Sequence, residues 1–380
     1  MDFELTDEQK MLKDTAADFA KNEFEPVAKE LDREEKYPME IWKKASELGL
    51  IGAWIPEEYG GSGVGFFGNA LITEEFSRVD LGISLIVAAS FGCEAIYWGG
   101  TEEQKKKYLP MVAQGQAISA GAFTEPDAGT DVAGARTRAV KDGNDYILNG
   151  SKMFITNGDV CKFMITLCIT NPESEKRYNK HSLLIVDSAL PGVTITKIVG
   201  KMGIRASDTS EISFEDVRVP QEMLVGEKEG RGFYQAMQFF DTTRIMVSAQ
   251  GVGLAQGALD KSVQYVKERK AFGVPIGSFQ ISQQKLAEMA IRIEATRNMV
   301  YKSAWLLDKG DVDPILNSIT KYYSGETAVF CANYAVELHG GYGYIDEYDV
   351  QRYYRDAKIL QLYEGTKEAE VLTIARRLLA

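Results

Sequence analysis

Hydrophobic positions follow a helical period in the first third of the chain. The stretch TDEQKMLKDTAADFAKNEFEPVAKELD opens with Thr6 and has Gln9 three residues later, which is a capping-box pattern. The same spacing continues through MEIWKKASELGLIG, ALITEEFSRVDLGISLIVAASFGCEAIYWGG and TEEQKKKYLPMVAQGQ. We therefore predict a helical domain over residues 1–118.

The period changes near Ser119, where short runs rich in β-branched residues alternate with turn residues. DYILNGSKMFITNG contains two strand-like runs around Asn149-Gly150, which predicts a hairpin. Further strand-like runs follow, namely CKFMITLCIT, HSLLIVDS, GVTITKIV and SEISFEDVRVP. Their spacing predicts an antiparallel sheet or small barrel over residues 119–228.

The helical period returns at about Gly230. GFYQAMQFFDTTRIMVSAQGVGLAQGALDKSVQYVKERKAFG predicts one or two long helices, and three further helical stretches follow it. Several long helices side by side indicate a bundle over residues 229–380. The fold class predicted is mainly α with a central β domain.

Composition excludes several classes of function. The net charge of −12 argues against binding to a phosphate backbone. The four cysteines are scattered and the two histidines lie far apart, so we expect a reducing compartment and no metal site. No signal peptide or uncharged stretch of about 20 apolar residues is apparent, so we expect no transmembrane segment.

Two Thr-containing turns are candidates for ligand contact. In FTEPDAGTD, backbone amides near Gly129 and the hydroxyls of Thr124 and Thr130 favour an anion nest, but a plain Asx/Pro-Gly turn explains the same residues. FITNG repeats the ambiguity at Thr156. Neither stretch decides between the two interpretations.

Two further motifs combine glycine with a helix end. ERKAFGVPIGSFQ places Arg269 at the end of a long helix, where it suits either a phosphate or the helix dipole. ELHGGYGY carries Gly340 and Gly341, which locally indicate a helix stop. In LYEGTKEAEV, Glu364 lies two residues before the expected helix start at Thr366, so it is either a dipole-favoured acid or a functional base.

Taken in order, these motifs resemble the acyl-CoA dehydrogenase family over essentially the whole chain. The matching stretches are FTEPDAGTDVAG, NGSKMFITNG, KMGIRASDTSEISFEDVRVP, DTTRIMVSAQGVGLAQGALD, ERKAFGVPIGSFQ, ELHGGYGY and LYEGT. The resemblance implies an N-terminal helical domain, a middle β-barrel-like domain and a C-terminal four-helix bundle. The short-chain, butyryl-CoA dehydrogenase-like members are the most similar in pattern.

The resemblance also implies FAD and a homotetramer built as a dimer of dimers. Phe123, Thr124, Phe154, Ile155 and Thr156 would line the flavin, whereas several bundle residues would reach the FAD of a neighbouring subunit. The complete set of implied FAD residues is Phe123, Thr124, Thr130, Phe154, Ile155, Thr156, Arg269, Phe272, Gln280, Glu337, Gly340, Gly341, Thr366 and Glu368. Phe154 and Glu337 stand where tryptophan and glutamine are usual, and the Glu337 carboxylate lacks an amide donor.

The implied reaction removes the α proton of an acyl-CoA while a β hydride passes to flavin N5. Glu364 matches the family's catalytic base, and its backbone N–H would bind the thioester carbonyl. Some relatives carry the base at the position of Thr243, which has no carboxylate. The substrate residues implied are Phe91, Thr130, Phe240, Asp241, Arg244, Tyr363 and Gly365.

The expected substrate is a short, branched or cyclic apolar acyl-CoA. Phe91 would shorten the acyl tunnel, and Ser84 and Leu85 replace the arginine and serine of glutaryl-CoA dehydrogenases, although these residues also suit a plain helix core. An electron-transfer flavoprotein would accept the electrons, in the cytoplasm or a mitochondrial matrix. The alternatives are an acyl-CoA oxidase, an enoyl-CoA reductase of the same fold, or an inactive scaffold relative.

Overall fold

The computed structural model describes residues 4–379. The first part of the chain is helical, and Thr6 caps the first helix through a capping box with Gln9, as predicted. Its helices are α1 (Asp7–Glu23), α2 (Ala28–Glu34), α3 (Met39–Glu47), α4 (Gly65–Val79), α5 (Leu81–Ser84), α6 (Cys93–Gly99) and α7 (Glu102–Ala113). A 3-10 turn, Leu85–Ser90, joins α5 to α6.

The middle part is a curled, seven-stranded sheet with a small separate hairpin later in the chain. Its strands are β1 (Ser119–Ala122), β2 (Arg138–Asp142), β3 (Asp145–Thr156), β4 (Phe163–Ile169), β5 (His181–Asp187), β6 (Val193–Lys197) and β7 (Thr209–Pro220). The strand order is β1-β4-β2-β3-β7-β6, with β5 paired to β4. The predicted barrel-like domain is therefore confirmed as a curled sheet.

Two details of the sheet prediction are wrong. The sheet is mixed, because β4 runs parallel to β1 and to the first residue of β2. Asn149-Gly150 is not a hairpin turn but an irregularity within the continuous strand β3. A Cβ at Gly150 would lie 2.6 Å from Thr137 Oγ1, so glycine here allows a close approach to the neighbouring chain rather than a reversal.

The last part is a bundle around one very long helix. The stretch predicted as one or two helices forms the single helix α8 (Gly232–Glu268), which packs against α4, α9 and α10. The other elements are β8 (Lys270–Ala271), β9 (Val274–Pro275), α9 (Gln280–Asp308), α10 (Pro314–His339), α11 (Val350–Ala357) and α12 (Lys367–Leu378).

Buried charges connect the N-terminal helices to the bundle. Glu74 on α4 accepts hydrogen bonds from Arg297 Nε on α9 at 3.0 Å and from Lys13 Nζ on α1 at 3.2 Å. Burial alone would raise the pKa of Glu74, but the two cations outweigh it and hold that pKa below its usual value. The three helices therefore form one packed unit around this carboxylate.

The segment Leu81–Gly99 is long and apolar enough to span a bilayer by length and composition, with a mean hydropathy of 1.5. It meets this criterion although no spanning segment was expected from the sequence. In the structure it is broken into α5, a 3-10 turn and α6, and 78% of its apolar window is buried within the protein. Burial of this kind is typical of a core segment.

Candidate active site

Glu364 lies in a tight turn just before α12. Its φ is +53° and that of Gly365 is +103°, so two successive residues have left-handed backbone conformations. Thr366 follows as the N-cap of α12, and its hydroxyl accepts a hydrogen bond from Ala369 N at 3.3 Å. The helix start expected at Thr366 is confirmed, and Glu364 is set apart from the helix by the turn.

The Glu364 carboxylate contacts α8. Thr243 donates a hydrogen bond to Glu364 Oε2 at 2.5 Å. Burial raises the pKa of Glu364 to about 7, although Thr243, Arg244 and Lys321 each favour the charged form. A carboxylate that titrates near neutrality can accept a proton from a weak carbon acid and release it again, which suits a general base.

Charged side chains hold the backbone of this turn. Arg244 Nε donates to Glu364 O at 3.3 Å and lies 3.0 Å from Glu370 Oε1 on α12. Lys321 Nζ on α10 donates to Gly365 O. The turn is therefore bound directly from α8 and α10, and Glu370 on α12 pairs with the Arg244 that binds it. Neither Lys321 nor Glu370 was expected from the sequence.

A second buried carboxyl group lies near Glu364. Glu94 on α6 is 5% exposed and accepts a hydrogen bond from Gly92 N at 3.1 Å. Burial raises the pKa of Glu94 to about 8, and the charge of Glu364 adds to the shift. Sequence reasoning missed Glu94, although it is the only charged residue between Asp80 and Glu102.

Four phenylalanines form an aromatic cluster between α8 and the β domain. Phe239 stacks on Phe123 at 4.9 Å between ring centroids, and it meets Phe91 edge-on at 4.8 Å. Phe240 lies 5.3 Å from Phe123. The predicted flavin residue Phe123 therefore meets the predicted substrate residue Phe240 directly. It meets Phe91 through Phe239, a residue that the motifs did not indicate.

The two predicted flavin stretches of the β domain are neighbours. Met153 N donates to Thr124 O at 2.9 Å, and Lys152 Nζ donates to Phe123 O at 3.1 Å. Lys152 is buried and also pairs with Glu125 at 2.8 Å. This buried ion pair was not expected from the sequence, since neither residue stands out by spacing.

The end of β3 lies beside Thr124 because of the Met153–Thr124 backbone bond. Phe154 follows with a φ of +60° and is 65% exposed, whereas Ile155 is buried and Thr156 is partly buried. The strand pairing with β7 is interrupted between Lys152 and Ile155, which turns Phe154 out of the sheet. An exposed aromatic ring therefore stands on the part of β3 that pairs with Thr124.

Thr130 is exposed, in the loop between β1 and β2. The loop begins with a tight turn in which Glu125 and Ala128 exchange backbone hydrogen bonds of 2.9 and 3.1 Å. Its far end is bound by the Glu125 carboxylate, which accepts from Thr137 N at 2.9 Å. The predicted turn is present, and the role of Thr130 in binding stays a prediction.

Arg269, Phe272 and Gln280 lie around the β8–β9 hairpin. Phe272 and Gly273 form its two-residue turn, and Phe272 has a φ of +51° and is 95% exposed. The Arg269 guanidinium lies 5.3 Å from the ring centre of Tyr342. Arg269, Glu337, Gly340 and Gly341 line one open cleft of about 490 Å³, so the structure brings these four predicted residues together.

Glu337 is paired within its own chain. Lys285 Nζ on α9 donates to Glu337 Oε2, and Asn333 Nδ2 donates to Glu337 Oε1 at 2.8 Å. These bonds hold the pKa of Glu337 below its usual value. The carboxylate that replaces the usual glutamine therefore carries a partner cation, which the sequence did not reveal because Lys285 lies 52 residues away.

The remaining predicted residues surround the Glu364 turn. Asp241 pairs with Arg244 at 2.9 Å, and Tyr363 donates to Gln250 Oε1 on α8. Glu368 is exposed in the first turn of α12. Asp241, Arg244, Tyr363 and Gly365 thus lie together, whereas the observed bond of the Thr366 hydroxyl is the helix cap.

Models of the acyl-CoA dehydrogenase family match nearly the whole chain. The N-terminal domain model matches residues 6–116, the middle domain model matches residues 120–217 and the C-terminal domain model matches residues 230–379. These matches confirm the resemblance inferred from the motifs.

Individual relatives extend over the full length. Acryloyl-CoA reductase (NADH) of Anaerotignum propionicum is 44% identical, covering 100% of this chain and 96% of the relative. A chain solved in work on the electron transferring flavoprotein of Acidaminococcus fermentans is 41% identical with a TM-score of 0.97, and both chains are covered completely. Butyryl-CoA dehydrogenase from Megasphaera elsdenii is 39% identical with a TM-score of 0.96, again with complete coverage of both chains. This chain is therefore a member of the acyl-CoA dehydrogenase family, flavoprotein oxidoreductases that act on acyl-CoA.

Proposed function

We propose that this protein is an FAD-dependent dehydrogenase of short, branched or cyclic apolar acyl-CoA thioesters. The observation that carries the proposal is the Glu364 carboxylate, which is bound to Thr243 and has a pKa raised to about 7. In the proposed reaction Glu364 removes the α proton of the acyl group as the α,β double bond forms. The Glu364 backbone N–H is the proposed donor to the thioester oxygen, where negative charge develops.

The residues present suit a flavin dinucleotide. The exposed Phe154 ring, on the strand end that pairs with Thr124, offers an aromatic surface, and the Arg269 cleft offers a cation beside Gly340 and Gly341. Among residues 4–379, no atom lies within 4 Å of a Cβ built on either glycine, so the cleft leaves room for phosphate or sugar groups. A bound flavin supplies the acceptor for the hydride that leaves the β carbon.

The two groups of predicted flavin residues support a proposed homotetramer. Phe123 packs on Phe239 in the N-terminal part of α8, whereas the 95% exposed Phe272 projects from the hairpin that follows the other end of that helix. A side chain of this size is costly to leave in water, and a neighbouring subunit or its FAD would cover it. We therefore assign the residues around the hairpin and the cleft to the FAD of the neighbouring subunit, namely Arg269, Phe272, Gln280, Gly340 and Gly341.

The far end of the proposed acyl pocket favours apolar groups. Ser84 is buried, and its hydroxyl donates to Leu81 O at 2.8 Å and lies 3.0 Å from Ser77 Oγ. Leu85 beside it is 3% exposed. Neither residue supplies a cation for a distal carboxylate, so dicarboxylic substrates are disfavoured.

The direction of the reaction has a second candidate. One 44% identical relative is a reductase of acryloyl-CoA, which supports the reverse reaction, the saturation of an enoyl-CoA. A similar chain studied with an electron transferring flavoprotein supports such a protein as the electron partner in either direction.

One experiment tests the proposed function directly. The purified protein is mixed without oxygen with a panel of straight, branched and cyclic acyl-CoAs, and flavin absorbance is followed. We expect bleaching by the short members of the panel, and no bleaching by any member would overturn the dehydrogenase proposal.

Glu364→Gln is expected to keep its flavin and to lose turnover by roughly 10²-fold or more, because the amide accepts no proton. Near-normal turnover would place the base elsewhere.

A further inference from the structure

Lys321 is a buried cation that contacts the turn formed by Glu364 and Gly365. It lies on the inner face of α10 with 1% of its surface exposed, and its ammonium group donates to Gly365 O. A lysine is rarely this deeply buried unless a partner satisfies it. Here the partner is the backbone of the turn itself.

The turn requires such support because its backbone conformation is unfavourable. A non-glycine residue with the φ of +53° found at Glu364 persists only where its surroundings hold it. Two successive carbonyls are bound by cations, Glu364 O by Arg244 at 3.3 Å and Gly365 O by Lys321. Of these two, only Lys321 binds the carbonyl on the α12 side of the turn.

We propose that Lys321 is a positioning residue for Glu364, holding the left-handed turn through the Gly365 carbonyl so that the carboxylate stays directed at the substrate. The proposal rests on the proposed function of Glu364 as the base. It differs from that function because Lys321 touches the turn and not the reacting atoms.

The charge of Lys321 also acts on Glu364. Its positive charge favours the ionised form of Glu364 and so lowers the pKa of that carboxyl. Burial in turn lowers the pKa of Lys321 to about 8, against the attraction of Glu370 and Glu364. The charged and titratable groups that face this pair are Asp241 and Arg244 on α8, Glu94 on α6, Tyr363 beside Glu364, and Glu368 and Glu370 on α12.

The sign of the pH effect follows from these pKa shifts. Near pH 7 Lys321 is mainly charged, so its removal raises the pKa of Glu364 and leaves less of the base ionised. Near pH 9 the side chain of Lys321 in the wild-type protein is mainly neutral, so replacing it changes the charge beside Glu364 less. Lys321→Met is therefore expected to lower kcat/KM more at pH 7 than at pH 9, by about twofold for a half-unit rise in the Glu364 pKa.

The test compares Lys321→Met with Lys321→Arg and with Ser324→Ala. Ser324, one turn further along α10, donates to Ser248 O at 2.7 Å and serves as the control for a lost buried hydrogen bond. We expect Lys321→Met to lower kcat more than it raises KM, Lys321→Arg to restore part of the loss, and Ser324→Ala to show the same relative activity at both pH values. If the kcat/KM of Lys321→Met is the same fraction of the wild-type kcat/KM at pH 7 and at pH 9, the proposal is wrong.

Amide hydrogen exchange provides a readout that does not depend on turnover. Residues 362–368 should exchange at least about threefold faster in Lys321→Met than in wild type or Ser324→Ala, because the turn opens more often. Unchanged exchange would overturn the proposal even if Glu364→Gln confirms the base. If Lys321→Met does not fold, Lys321→Gln takes its place in both measurements and is judged by the same outcomes.

Discussion

The Thr243 hydroxyl donates a hydrogen bond of 2.5 Å to the Glu364 carboxylate, although the two residues are 121 positions apart in the chain. The position at which the family resemblance would place an alternative base therefore donates to the proposed base, Glu364. A donor to the ionised carboxylate favours that form and lowers its pKa.

Replacing Thr243 with valine is expected to shift the pH dependence of turnover. Without the hydroxyl the pKa of Glu364 rises above about 7, so the acid limb of kcat/KM moves to higher pH and activity falls most below neutrality. The control is Thr242→Val, since Thr242 donates to Gln238 O at 3.1 Å and accepts from Trp98 Nε1 at 3.2 Å. An acid limb that is identical in Thr243→Val and wild type would contradict the expected effect.

Gly365→Ala is expected to destabilise the protein and to reduce turnover. A Cβ at Gly365 would lie 2.0 Å from Glu370 Oε1, and the φ of +103° strains any L side chain. We expect a loss of about 1–3 kcal/mol in the free energy of unfolding, measured by chemical denaturation.

Gly310→Ala separates the two effects of Gly365→Ala on stability, which are the backbone strain and the contact with Glu370. Gly310 has a φ of +73°, and no atom in the part of the chain that the structure describes lies within 4 Å of its Cβ position. Alanine there therefore meets backbone strain alone. A loss of stability and activity at position 365 that is no larger than the loss at position 310 would rule out the contact with Glu370 as the cause.

The Lys285–Glu337 pair is expected to tune flavin binding. Lys285→Met leaves the Glu337 carboxylate without its cation in the Arg269 cleft, which should weaken flavin binding by a few-fold through repulsion of phosphate. Glu337→Gln should bind flavin as well as wild type or better, and the double variant should recover the loss of the single lysine variant. Flavin affinity is measured by titrating the apoprotein with flavin. Equal affinities in wild type, the two single variants and the double variant would show that the Lys285–Glu337 pair does not affect flavin binding.

Phe91→Ala is expected to lengthen the acyl groups that are accepted. Phe91 packs on Phe239 at 4.8 Å, so its removal opens space at the end of the proposed pocket. The ratio of kcat/KM for an eight-carbon to a four-carbon acyl-CoA should rise about tenfold or more. Ile86→Ala is the control, because Ile86 is fully buried in a hydrophobic core cluster that includes neither Phe91 nor Phe239. A ratio that rises equally in both variants would refute the role of Phe91.

The predictability of the fold depended on how local each feature is. The capping box at Thr6, the long helix α8 and the helix start at Thr366 follow from residues within a few positions of one another, so they were predictable. Asn149-Gly150 was misread because the same dipeptide suits a hairpin turn and a close approach between strands. Whether the dipeptide forms a turn or a close approach depends on its contact with Thr137, which lies 13 residues before Gly150 and directly precedes β2.

The sequence by itself determined the three regions of secondary structure, the family and the identity of Glu364 as the candidate base, because these depend on local periodicity and on ordered motifs. The surroundings of Glu364 were decided only by the tertiary structure, which brings Thr243, Lys321, Glu370 and Glu94 to it from four different helices. The pKa of a carboxyl group depends on burial and on charges within a few ångströms in space. Those neighbours are fixed only when the helices pack, so the raised pKa of Glu364 could not be derived from its neighbours in the chain.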